Sequence, residues 1–75
     1  MIISKRKKFI QNYLKLDSKI QLKFDERLKI FLKDPFDRIL NNYALTWKYS
    51  WFRSINITWD YRAVFREYWE NKYEF

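Results

Sequence analysis

Arg62 and Arg66 lie four residues apart in a run, Tyr61 to Tyr68, whose centre of Ala63, Val64 and Phe65 is aromatic and β-branched. In an extended strand that spacing puts both guanidiniums on one face. A guanidinium stays charged and meets phosphate or carboxylate through two parallel N–H groups, so it suits a polyanion or charge building on a phosphoryl oxygen. Asp60, in the connection before this run, has two readings: a base, or a cap on the turn. Arg53, one run earlier, is read first as a structural bridge to Asp60 and second as a site residue. The chain has no histidine and no cysteine. The usual proton-transfer side chain is therefore missing, as are disulfides and thiolate zinc sites, and catalysis falls to Arg, Lys, Tyr, Asp or Glu. Asp17, Asp25, Asp34 and Asp37 show no metal-ligand spacing, and a chain without glycine has no phosphate-cradling loop. Neither a metal nor a cofactor is expected.

The remaining cations have plainer readings. Lys5 to Lys8 is a charge run at a helix start, a solvated face before it is a phosphate clamp. Lys19, Lys23 and Arg27 form an i, i+4, i+8 row opposite an apolar stripe, again a solvated face, with Asp25 and Lys29 as an ordinary helix ion pair. With 16 basic and 9 acidic residues the net charge is +7, which favours a polyanionic partner: RNA, DNA, an anionic membrane or an acidic protein. No apolar run approaches the ~20 residues that cross a bilayer, and only Met1 to Ile3 is apolar before the basic run, so neither a membrane span nor a signal peptide is expected. The expected compartment is the cytoplasm.

The stretch Leu40 to Arg66 must position these groups. It holds a loop rich in hydrogen-bonding groups, a strand-like run, a two-residue connection and a second strand-like run, which predicts a β-hairpin. From Phe52 to Thr58 the alternation sets Phe52, Ser54, Asn56 and Thr58 on one face and Arg53, Ile55 and Ile57 on the other, one face buried and the other presented. Before it, Met1 to Ile3 predicts a first strand. Ser4 is a plausible N-cap for a helix with apolar Phe9, Ile10, Tyr13 and Leu14, ending near Leu16. Ser18 with Gln21 predicts a capping box for a second helix, whose stripe is Ile20, Phe24, Leu28, Phe31 and Leu32. Pro35 stops it. Phe24, Phe31, Phe36 and Phe65 are expected in the core, and Asn71 to Phe75 begins another strand. The order predicts one α+β domain over residues 1–75, a small antiparallel β-sheet packed against an N-terminal α-helical hairpin. A chain of 75 residues buries only about 60% of its unfolded surface, so its stability is marginal without a partner.

The series ERLKIFLKDPFDRILNN followed by YALTWKYSWFRSINITWDYRAVF resembles the RelE/ParE superfamily of type II toxins, most closely its YafQ-type branch of mRNA interferases. The resemblance runs over about residues 3 to 75. It implies a sheet under a helical hairpin, metal-independent endonucleolytic cleavage of mRNA on the ribosome, and neutralisation by a cognate antitoxin. Arg62 matches a position where such toxins set an arginine against the scissile phosphate. Tyr43, Asn56 and Asp60 stand where the YafQ-type pattern places active residues, with Arg53 a weaker candidate. Lys48, Arg66, Lys5, Lys7 and Lys8 are the candidate RNA contacts.

The sequence departs from that family in three ways. Tyr43 stands where a histidine is usual and Asn56 where some members have another, so only Asp60 keeps its chemical type. The family continues into a final strand and tail, so the chain reads as a truncated member. Trp47, Trp51, Trp59 and plausibly Trp69 stand at family glycine positions, in a chain with four tryptophans and no glycine. A domain of this size would on average use about five glycines. A gene in which UGA means glycine, translated with a table that reads it as tryptophan, gives this pattern; Trp59 in the hairpin connection is the position expected to need φ > 0. Two rival readings come from other classes: a ParE-like toxin that inhibits gyrase by binding alone, and an inactive remnant that only binds antitoxin or RNA.

Overall fold

The computed structural model describes residues 1–69 and 71–75. Strand β1 (Ile2–Ser4) leads into helices α1 (Lys7–Leu14) and α2 (Ser18–Lys33), a 3-10 turn at Arg38–Leu40 and the short strand β2 (Tyr43–Ala44). A second 3-10 turn, Trp47–Tyr49, precedes the hairpin of β3 (Arg53–Asn56) and β4 (Arg62–Glu67), and β5 (Lys72–Glu74) closes the order. The sheet runs β1-β5-β4-β3-β2. β5 pairs antiparallel with β4 but parallel with β1, so the five-stranded sheet is mixed rather than wholly antiparallel. The α+β architecture otherwise follows the expectation.

Helix α2 forms where the sequence places it. Its cap is Asp17, one residue before the expected Ser18, and the Asp17 carboxylate accepts from the Lys19 backbone N–H at 2.8 Å. Gln21 donates instead to the Tyr13 carbonyl at 2.9 Å, tying the two helices together. Asp34, before Pro35, is extended at φ −156°, as the proline ring requires. Ser4 does not cap α1, because it ends β1 opposite Glu74; the N-cap is Arg6, without a side-chain cap.

The core lies between α2 and the sheet. Phe24, Phe31, Leu40, Ile55, Ile57, Ala63, Phe65, Tyr73 and Phe75 are buried, and Phe31 meets Phe65, Tyr73 and Phe75 edge-on with ring centroids 5.0 to 5.5 Å apart. That tilted geometry suits the aromatic quadrupole and adds to the area buried. Phe36 is not part of this core. It is 64% exposed, its ring lies under the Arg53 guanidinium at 5.2 Å, and Leu40 fills the buried place that follows α2. Leu32 is exposed as well. Arg27 is not a solvated cation: its Nε donates to the Ile57 carbonyl at 3.4 Å and its Nη1 is buried. Asp25 accepts from the Tyr13 hydroxyl at 3.0 Å rather than pairing with Lys29, and the burial of Tyr13, followed by this bond, pushes its pKa up.

Candidate functional site

The hairpin ladder fixes which side chains share a face. Ile55 opposes Ala63 and Arg53 opposes Phe65, so these four look toward the helices. Ser54 opposes Val64 and Asn56 opposes Arg62, so these look to the other, open face, where β2 adds Tyr43 opposite Ser54. Arg66, two residues beyond Val64, joins them opposite Glu74. The alternation thus gathers Tyr43, Asn56, Arg62 and Arg66 on one uncovered surface. Three further candidates lie elsewhere. Arg53 is on the helix side, Asp60 is in the turn, and Lys48 is exposed in the 3-10 turn with its Nζ over the Tyr49 ring at 5.4 Å.

Arg62 is the most constrained of the group. Its Nε donates to the Ser54 hydroxyl at 2.9 Å, and its Nη2 donates to the Asn41 carbonyl at 2.6 Å and the Ser54 carbonyl at 3.1 Å. The guanidinium lies 4.2 Å from the Tyr43 ring centroid, a stacking distance. This explains why Ser54 is 2% exposed on the uncovered face: arginine and tyrosine cover it. Of the five N–H groups of a guanidinium three are therefore committed, and the two on Nη1 have no partner among the described residues. A fixed guanidinium with one free edge loses little rotamer freedom when an anion arrives.

Arg53 works from the opposite side. Its Nε donates to the Asn42 side-chain oxygen at 2.8 Å and its Nη2 to the Asn42 carbonyl at 3.3 Å, while the Asn42 amide donates to the Pro35 carbonyl at 2.9 Å. Arg62 and Arg53 thus grip consecutive residues, Asn41 and Asn42, from the two faces of the sheet. Asn41 is held at φ 48°, ψ 54°, left-handed backbone that asparagine tolerates better than most residues. The expected bridge between Arg53 and Asp60 is absent. Asp60 instead accepts from the Thr58 hydroxyl at 2.8 Å within the turn and is exposed. The side-chain salt bridge among the described residues is Lys23 with Glu26, on the surface of α2.

The connection is longer than two residues. The ladder ends at Asn56 and Arg62, and the Ile57 and Thr58 N–H groups both donate to the Tyr61 carbonyl, closing a five-residue loop. This loop relieves Trp59 of positive φ; among the described residues those with positive φ are Asn41, Trp47 at 60° and Asn71. All four tryptophans are on the surface, with Trp47 90%, Trp51 77%, Trp59 94% and Trp69 67% exposed. None of them belongs to the core.

Two hollows flank this region. One, about 320 Å³, lies between α1 and β4 and is lined by Phe9, Tyr13, Phe24, Ile57 and Ala63 with Arg6, Lys8 and Arg62 at its polar margin. The other, about 330 Å³, lies on the open face among Leu45, Tyr49, Phe52, Val64 and Arg6. Arg6 borders both, donates to the Phe75 carbonyl at 3.4 Å and lies 5.7 Å from the Phe52 ring. In the sequence it was one cation of a basic run; nothing marked it as the residue that reaches across to the sheet. Lys8 joins Arg62 at the first hollow, whereas Lys5 and Lys7 are exposed without lining either. No group of acidic residues among the described residues could hold a metal ion, and no helix is long and apolar enough to cross a membrane.

No protein-family model matches the sequence. No curated protein matches it. Among solved structures the chain is similar to the YoeB/ParE toxin from Agrobacterium tumefaciens, with a TM-score of 0.77 and 18% identity over 99% of this chain and 91% of that one. At that identity the likeness is one of fold, and the two helices over a five-stranded mixed sheet are the α+β architecture of a RelE/ParE-like toxin.

Proposed function

We propose that the protein is the toxin of a toxin-antitoxin pair and acts as a YafQ-type mRNA interferase, with an antitoxin as its protein partner and ribosome-bound mRNA as its substrate. The observation that carries this reading is the fixed Arg62 guanidinium, clamped on three N–H groups and open on its Nη1 edge, on a face that also holds Tyr43, Asn56 and Arg66. In RNA cleavage the ribose 2′-oxygen attacks the adjacent phosphorus to form a 2′,3′-cyclic phosphate, the bond to the 5′-oxygen of the next nucleotide breaks with that oxygen taking a proton from water, and negative charge grows on the phosphoryl oxygens in between. The Nη1 edge of Arg62 is placed to receive that charge. Arg66 and Lys48 hold flanking phosphates, and the exposed Tyr43 ring is available to a base or ribose. Asp60, two residues before Arg62, accepts the 2′-hydroxyl proton through the oxygen not engaged by Thr58. No step uses a metal ion.

A second reading is favoured by the same hydrogen bonds: three of five Arg62 donors serve the fold, as they would in a ParE-like toxin that inhibits gyrase by binding alone. The pair Arg62→Lys and Tyr43→Phe separates the two readings. Under the nuclease reading, Arg62→Lys lowers cleavage by about 10² or more, because a point charge replaces the planar fork, whereas Tyr43→Phe keeps the stacked ring and most of the activity. Inhibition of supercoiling without RNA cleavage in the unaltered protein establishes the ParE-like reading, and binding without either activity establishes a remnant.

A further inference from the structure

Beyond Arg62 the open face continues along β4 to a cluster most of which the cleavage step does not use. The alternation leads from Arg62 through Val64 to Arg66 and Tyr68, and the Tyr68 N–H donates to the Lys72 carbonyl, so Lys72 lies beside Tyr68 at the start of β5. Lys72 and Glu74 pair with β1 on one side of β5, and Glu74 opposes Arg66 on the other, so the cluster lies within the sheet rather than at an edge. At about 3.3 Å per residue, Arg66 stands ~13 Å and Tyr68 ~20 Å along the strand from Arg62.

One ring organises this cluster. The Arg66 guanidinium lies 4.8 Å and the Lys72 ammonium 5.6 Å from the Tyr68 ring centroid, so both cations rest against the same aromatic system. The Tyr68 hydroxyl in turn donates to Glu74 Oε1 at 2.7 Å, which fixes the ring. That bond, ahead of burial, pushes the Tyr68 pKa up, so the ring stays uncharged at neutral pH. Among the described residues neither cation forms a salt bridge, because the Glu74 carboxylate that stands opposite Arg66 engages the tyrosine instead. Trp69 adds a second ring 5.5 Å from Lys72, but Tyr68 meets both cations without it. Two cations held side by side by a tethered ring lose little freedom when an anion arrives.

We propose that Arg66, Tyr68 and Lys72 form a second phosphate site, which holds the backbone of a single-stranded RNA ~13 to 20 Å from Arg62 and so requires the substrate to extend several nucleotides to one side of the cleaved bond. Two features select a nucleic acid over an acidic polypeptide. Arg62, Arg66 and Lys72 follow one another along the open face, so an extended polyanion meets all three in order. Glu74 Oε2 also has no hydrogen-bond partner among the described residues. It repels a side-chain carboxylate, which carries no donor, yet it accepts from a ribose 2′-hydroxyl or an exocyclic amine, which RNA sets beside its phosphates. The site rests on the reading of RNA as substrate, but not on the cleavage step.

The test titrates a labelled, single-stranded dodecamer of 2′-O-methyl RNA, which has no free 2′-hydroxyl to attack its own backbone, and reads binding by fluorescence anisotropy across a series of salt concentrations. Lys72→Gln should weaken binding at least ~3-fold and lower the slope of log affinity against log salt by about 0.7, the amount one phosphate contact of a single strand contributes. Lys29→Gln makes the same change of charge on the exposed face of α2 and should leave both quantities unaltered. Tyr68→Leu alters no charge but removes the ring that holds the two cations, and should weaken binding at least ~3-fold, whereas Tyr68→Phe keeps the ring and most of the affinity. Equal effects of Lys72→Gln and Lys29→Gln, or full affinity in a folded Tyr68→Leu variant, would overturn the proposal. Tighter binding of a glutamate peptide than of the RNA, lost in Lys72→Gln, would assign the surface to an acidic protein and overturn it too. RNA cleavage is measured separately: a protein that binds through Lys72 without cutting keeps this site and loses the nuclease reading, and one that cuts with no change in KM or salt slope in Lys72→Gln does the reverse.

Discussion

Arg62→Ala should destabilise the fold as well as remove charge, and the two effects can be separated. The substitution breaks the bonds to the Ser54 hydroxyl, the Ser54 carbonyl and the Asn41 carbonyl, and removes the ring contact with Tyr43. Hydrogen bonds to a charged donor contribute about 1.5 to 3 kcal/mol each when buried, and less where the group reaches solvent, as the Asn41 contact does. Ser54, 2% exposed, would retain an unpaired hydroxyl until water enters, a further cost of about 1 kcal/mol or more. A net loss of about 2 to 4 kcal/mol follows, a large share of the roughly 4 to 11 kcal/mol a domain of this length possesses. At about 4 to 8 °C per kcal/mol the Tm should fall by at least 8 °C in a calorimetric or circular dichroism melt. The double variant Arg62→Ala with Ser54→Ala should lose less than the sum of the singles, because the orphaned hydroxyl is gone. A fall under ~2 °C, or strict additivity, would refute the clamp. Toxicity lost in Arg62→Ala alone is thus no proof of a catalytic role, and Arg62→Lys is the better probe.

The same structure fixes other outcomes. Trp47, at φ 60° and 90% exposed, occupies backbone that glycine takes without steric cost, so Trp47→Gly should raise the Tm by a few degrees, and the fourfold Gly variant should fold and be more soluble; failure of that variant to fold, or UGG at these codons in the gene, would sink the idea that these are recoded glycines. Phe31→Ala should cost about 3 to 5 kcal/mol and Phe36→Ala well under 1, read from denaturant midpoints; similar losses would contradict the placement of Phe36 on the surface. Burial, with Glu67 beside it, raises the pKa of Tyr73 above 10.0, so the folded state holds that proton more tightly than the unfolded chain. The stabilisation is present below pH 10 and is lost as pH rises through the folded value, and Tyr73→Phe should flatten the alkaline fall in Tm.

Much of this fold was legible because it depends on local pattern. The period of Ile20, Phe24, Leu28 and Phe31 marked α2, Pro35 marked its end, alternation set Ile55 and Ile57 on one face of the first hairpin strand, and Phe65 was marked as core. What depends on distant partners was not legible. Ser4 has the type of a helix cap, yet the parallel pairing of β1 with β5, about seventy residues away, claims it as a strand end. Phe36 has the type of a core residue, yet Arg53 covers one of its faces and Leu40 takes the interior. Alternation put Arg62 and Arg66 on one face, but the pairing of Asn56 with Arg62 and the Arg62 clamp on Asn41 and Ser54 need a register and a loop that only the folded chain brings together. Arg6 carried no signal beyond its charge.

The central claim, that the open face around Arg62 cleaves ribosome-bound mRNA, is tested most directly by adding the purified protein to a translating extract and mapping the 5′ ends of a reporter message by primer extension. The account predicts new ends inside the reading frame that require translation, persist in chelator-treated protein and vanish with Arg62→Lys at a temperature where that variant is folded. An intact message in the presence of folded protein, under conditions where gyrase supercoiling is blocked, would contradict it.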